Sequence, residues 1–112
     1  MRHHITKEHP FEGLTSGVIE CSFLYSYIKA YRLSASPVSV YKMKAKNLHW
    51  IKKWHPRYRA ADLEFPCIVV KQEESYRVID GRHRLRKAID QSLLKLPCYI
   101  LSPKEVLKFY RT

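Results

Sequence analysis

With 112 residues and no internal repeat, the chain has the length of one compact domain. Apolar residues at 46% and aromatics at 12% exclude an extended, disordered polymer. No stretch is long and apolar enough to span a bilayer, and the opening "MRHHITKEHPFEG" has no apolar signal core, so a cytoplasmic protein without a membrane partner is expected.

The formal charge of +11 draws polyanions, with nucleic acid foremost among them. No carboxylate stands between Glu20 and Asp62, whereas Lys29, Arg32, Lys42, Lys44, Lys46, Lys52, Lys53, Arg57 and Arg59 do. One basic surface is therefore expected. Cys21, Cys67 and Cys98 are widely spaced, two of them in apolar runs, and read as buried free thiols.

In chain order, the residues up to about Ser16 read as an arm with Pro10 and Gly13, and the adjacent His3 and His4 as neither a metal site nor a tag. From Val18 to Leu33, apolar residues at 18, 21, 24, 25, 28 and 31 predict an amphipathic helix. "VSVYKM" alternates as a strand, and "KNLHWIKKW" reads as a helix with Leu48 and Ile51 inward. "HPRYRAAD" is a loop or a single turn. "FPCIVV", the polar "KQEES" and "YRVID" form a hairpin, followed by a helix that packs through Leu85, Ala88 and Ile89. "LPCYIL" is a buried strand. Ser102-Pro103-Lys104-Glu105 is a capping box that opens a last helix to about Tyr110. The order predicts an α+β domain, a short mixed sheet flanked by helices, over 34–112, preceded by an arm and helix over 1–33.

Between the second hairpin strand and its helix stands Asp80-Gly81-Arg82-His83-Arg84. A strand that opens a helix there exposes unbonded N–H groups and the positive end of the helix dipole, which suits an anion. Gly81 permits close approach; Asp80 can cap the helix or orient a histidine or water. Arg82, Arg84 and Arg86 offer planar forks to phosphate oxygens, and His83 can give or take a proton near neutrality. Asp-Gly before a helix is also an ordinary cap, but cations in a first turn oppose the dipole and so favour an anion as their missing partner.

"FPCIVVKQEESYRVIDGRHRLRKAIDQSLLKLPCYIL" resembles the core of the ParB/sulfiredoxin-like superfamily, including small stand-alone ParB-like proteins carried by bacteriophages. The likeness runs from about Pro37 to Leu101. It implies a ParB/sulfiredoxin-like fold and a phosphate grip at Gly81, His83 and Arg84. Sulfiredoxin's catalytic cysteine falls at Arg82, so reductase activity is not expected. No helix-turn-helix follows in the chain, so partitioning is not expected either.

Three functions are weighed. The first is a DNA nuclease of phage takeover, active in the host cytoplasm, that nicks damaged or abasic DNA. In it Asp80, His83 and Arg84 are catalytic, Gly81, Arg82, His83, Arg84 and Arg86 bind phosphate, and Lys46, Lys52, Lys53, Arg57, Arg59 and Lys87 bind DNA. No metal ligands are assigned, and the cofactor stays open between magnesium and none. The second is an ATP- or CTP-binding switch or kinase using the same turn. The third is a non-catalytic phage protein that modulates a host DNA-processing protein. Salt dependence separates DNA binding from nucleotide binding.

Overall fold

The structure is a computed structural model that describes residues 2–5 and 17–111, with side chains described over 19–109. Four short strands and one helix come first: β1 (Arg2–Ile5), β2 (Gly17–Glu20), α1 (Cys21–Ala30), β3 (Ser36–Ser39) and β4 (Met43–Lys44). Then come α2 (Pro56–Arg59), β5 (Cys67–Gln72), β6 (Ser75–Asp80), α3 (Arg82–Asp90), β7 (Lys95–Leu101), α4 (Pro103–Leu107) and β8 (Tyr110–Arg111).

The main sheet has the order β3-β7-β5-β6-β4 and is mixed: β5 runs parallel to β7 and antiparallel to β6, and β4 joins β6 in parallel. Central β5 is buried on both faces, which is why "CIVV" is an unbroken apolar run. Its side chains alternate between two cores. Ile68 and Val70 meet Leu24 and Ile28 of α1 and Val106 of α4, whereas Cys67 and Val69 meet Leu85 and Ala88 of α3. The sheet therefore lies between α1 with α4 on one face and α3 on the other. The expected α+β fold with a short mixed sheet flanked by helices is what the chain adopts. No helix among the described residues is long and apolar enough to cross a membrane.

Several elements differ from their sequence reading, each for a tertiary reason. The helix expected from Val18 begins at Cys21, because Gly17–Glu20 is extended and pairs with both β1 and β8. Tyr31, placed on that helix's apolar face, is 69% exposed beyond its end. Of the expected arm, residues 2–5 form β1, and residues 6–16 lie outside the described residues. "VSVYKM" is broken by a 3-10 turn at Val40–Lys42, so it serves both edges of the sheet, as β3 and β4. The helix expected at "KNLHWIKKW" is reduced to a 3-10 turn at Leu48–Trp50; Ile51 is buried as expected. In α3, Leu85 and Ala88 pack inward, but Ile89 is 42% exposed. The capping box at Ser102 and Glu105 is present, yet α4 stops at Leu107 and Tyr110–Arg111 turn into β8. The three thiols are free and buried, and burial with the nearby Asp80 charge pushes Cys21 up to about 12, which keeps it protonated.

Candidate phosphate site

Between Ile68 and Val69 the hairpin register slips: Ile68 faces Asp80 while Val69 faces Val78, leaving one extra residue on β6. Such a bulge bends a strand and redirects the side chains near it. Asp80 ends β6 beside α1, where its Oδ2 accepts hydrogen bonds from the Tyr25 hydroxyl and, at 3.3 Å, from Arg84. Burial and this bond raise the Tyr25 hydroxyl above its ordinary value, so it remains a donor. Asp80 is only 6% exposed, and its Oδ1 finds no hydrogen-bond partner among the described residues.

Gly81 follows with φ +120° and serves as the N-cap residue of α3. The first helical bond runs from Leu85 N–H to Gly81 O at 2.9 Å, so the N–H groups of Arg82, His83 and Arg84 precede the intrahelical ladder. They open onto a cleft of about 1170 Å³ between β6, the 44–48 segment and α2. Lys44, Lys46, Arg57, Arg77 and Arg82 line it, with Asp80 as the sole carboxylate among its lining residues. Burial lowers Arg77 to about 10, still cationic at neutral pH.

The small helix α2 brings Arg57 to this cleft, and His55, just before it, stands beside His83. His55 caps α2, its Nδ1 accepting from Arg57 N–H at 3.1 Å, and its ring stacks on His83 with centroids 5.3 Å apart. Lys87 Nζ donates to the carbonyls of Arg59 at 3.2 Å and Ala61 at 3.0 Å, and Tyr58 donates to Asp90 at 2.7 Å. These three bonds tie α2 and the turn after it to α3. Burial first, then the charges of Arg82, His55 and Arg57, lower the His83 imidazole below its ordinary value.

The expected residues thus part into three groups. Gly81, Arg82, His83, Lys46 and Arg57 meet at the cleft, and Lys52, Lys53 and Arg59 are exposed on the same basic segment. Arg84 also borders the cleft, but its NH1 donates to the carbonyls of Phe65 and Pro66 at 3.1 and 2.6 Å and its NH2 to Asp80, so it braces the turn from within. Arg86 faces Asp90 at 3.4 Å, and Lys87 holds the end of α2. Asp80 neither caps α3 nor hydrogen-bonds His83. Tyr25, His55 and Arg77 join the site without having been expected there. The carboxylate-free window signals a basic surface but not which members line a cleft, and nothing local links Tyr25 to a residue 55 positions away. Among the described residues no three His, Cys, Asp or Glu side chains gather in a metal-binding cluster.

No protein-family profile and no curated protein matches the chain. Among solved structures, sulfiredoxin from Arabidopsis thaliana is similar at 18% identity with a TM-score of 0.49, covering 66% of this chain and 92% of that one. A free serine kinase in complex with AMP is similar at 19% identity with a TM-score of 0.44, covering 62% of this chain and 31% of that one. Both likenesses concern fold alone.

Proposed function

We propose that the chain is a DNA-acting, ParB-like nuclease that holds a backbone phosphate at the opening of α3 and nicks the strand there. The observation that carries this reading is the cleft itself, lined by six cationic residues, Arg84 among them, together with Gly81 and the residues whose N–H groups start α3. Arg82 is the exposed guanidinium at this point and takes the charge-stabilising role first expected of Arg84. His83, neutral at pH 7, acts as the base, and Asp80, buried against Tyr25 and Arg84, fixes the turn that carries it. A neutral imidazole without clustered carboxylates suits proton removal next to an abasic sugar better than attack on intact DNA.

His83→Ala is expected to abolish nicking of depurinated plasmid while DNA binding is retained, read on agarose gels with magnesium and with chelator. Full activity in this variant would remove His83 from the chemistry. Because the folded imidazole lies below its ordinary value, a rate that needs the neutral ring is expected to hold through neutral pH and to fall in acid buffer, with its midpoint below that of a free imidazole. A rate that already halves at pH 7 would contradict this. Binding without nicking under every condition would leave a non-catalytic DNA-binding protein.

Salt gives a second check. With about four to six phosphate contacts, log Kd is expected to rise with log salt at a slope of about 4 to 5. Lys44→Ala/Arg57→Ala is expected to lower that slope by about 2. The second reading, a nucleoside triphosphate in the turn, is favoured by the volume of the cleft, which is of the size of a small-molecule pocket. It predicts saturable thermal stabilisation by one triphosphate and a shallow salt response.

A further inference from the structure

Beside the main cleft lies a second, smaller cavity of about 180 Å³. Asn47, Arg82 and His83 line both, so the two spaces share a wall. The small one is completed by Trp50, Ile51, Lys52 and His55. Its volume equals roughly six waters at about 30 Å³ each, room for a single planar heterocycle but not for a base pair. Its walls are of two kinds. The flat groups are the indole of Trp50, which is 66% exposed, and the His55 and His83 rings, stacked at 5.3 Å with 27° between their planes. The polar groups are the Asn47 amide, which can meet a base edge, and the cations of Lys52 and Arg82, which complement phosphate on either side.

An exposed tryptophan leaves a large apolar face in water, a cost removed when a flat partner covers it. His55 is fixed by capping α2, and His83 by its place in α3, so this wall is built before any ligand arrives. We propose that the small cavity takes one unpaired nucleobase, so that the chain acts on nucleic acid in which the nucleotide beside the gripped phosphate is unstacked. This inference rests on the phosphate reading above and extends it by naming the substrate: a single strand, or a duplex interrupted by a bulged base, in preference to an intact duplex.

The test is a fluorescence-anisotropy titration at one salt concentration with fluorescein-labelled oligonucleotides of equal length, one fully paired, one single-stranded and one with a single bulged base. The bulged and single-stranded forms are expected to bind about ten-fold more tightly than the paired one, the scale of one base stacked on an aromatic side chain. In Trp50→Ala that ratio is expected to fall towards one, and in Trp50→Phe most of it to return; the exposure of Trp50 makes either variant compatible with folding, which a thermal melt verifies. Equal affinity for all three DNAs in the unaltered protein, or an undiminished ratio in Trp50→Ala, overturns the base site and leaves the phosphate grip standing. Arg82→Ala is expected to weaken binding to all three; full affinity there overturns the phosphate grip and the base site with it.

Discussion

Asp80→Ala is expected to destabilise the fold by about 3–5 kcal/mol, because it strands a buried cation rather than merely deleting a hydrogen bond. The Arg84 side chain is 12% exposed and the Asp80 side chain 8%, so solvent cannot take over the lost charge. With one kcal/mol worth about 4–8 °C in a domain of this size, Tm should fall by more than about 10 °C. Tyr25→Phe removes only the second donor to the same carboxylate and is expected to cost about 1 kcal/mol. The decisive variant is Asp80→Ala/Arg84→Met. It removes both charges, and it should be more stable than Asp80→Ala alone if the uncompensated cation is the cause. A single-variant loss of 1 kcal/mol or less in urea denaturation would mean that the Phe65 and Pro66 carbonyls suffice to hold Arg84.

Gly81→Ala is expected to have an effect of similar size from two independent sources. At φ +120° a Cβ strains the backbone by about 1–2 kcal/mol. The same atom would stand 2.5 Å from Cys67 Sγ and 2.8 Å from Cys67 Cβ, on the central strand, and overpacking of that kind adds about 1–3 kcal/mol. The strand or the turn must move, and either shift displaces the N–H groups that open the cleft. Loss of stability should therefore come with weaker DNA binding even though no contact residue has changed. Adding Cys67→Ala should recover only part of the stability, since Cys67 Cβ and the positive φ both remain. Native Tm and affinity in Gly81→Ala would show that the turn tolerates an L side chain and that its geometry is not essential.

The parts of this fold that were legible in advance are those whose pattern is local. The hairpin, α3 and β7 follow from an apolar run, a turn and a helical stripe in direct succession, and the capping box of α4 is written in four adjacent residues. Residues 2–5 and 17–20 were not legible in this way. Val18 and Cys21 fit a helical spacing, but Val18 is extended because β8, formed over ninety positions later, pairs with it. Likewise "VSVYKM" alternates like one strand, yet the edges of the sheet claim its two ends separately. At the site, the charge and glycine of Asp80 to Arg84 pointed to a turn that does line the main cleft. Which arginine faces outward was not readable: Arg82 and Arg84 are the same residue type two positions apart, and only the placement of the 65–66 carbonyls turns one of them inward.

The anchoring of α1 on the closing elements of the chain has a consequence for biosynthesis. Tyr25 reaches Asp80 from a helix whose buried side shares its core with Leu101 and Val106. On a ribosome that adds about 5–20 residues per second, the hairpin and α3 emerge before those two residues do. A nascent chain paused after Asp90 can pair β5 with β6, but its α1 lacks the part of its core that Leu101 and Val106 supply. The Tyr25–Asp80 bond beside the turn therefore gains its full support only once β7 and α4 have been made.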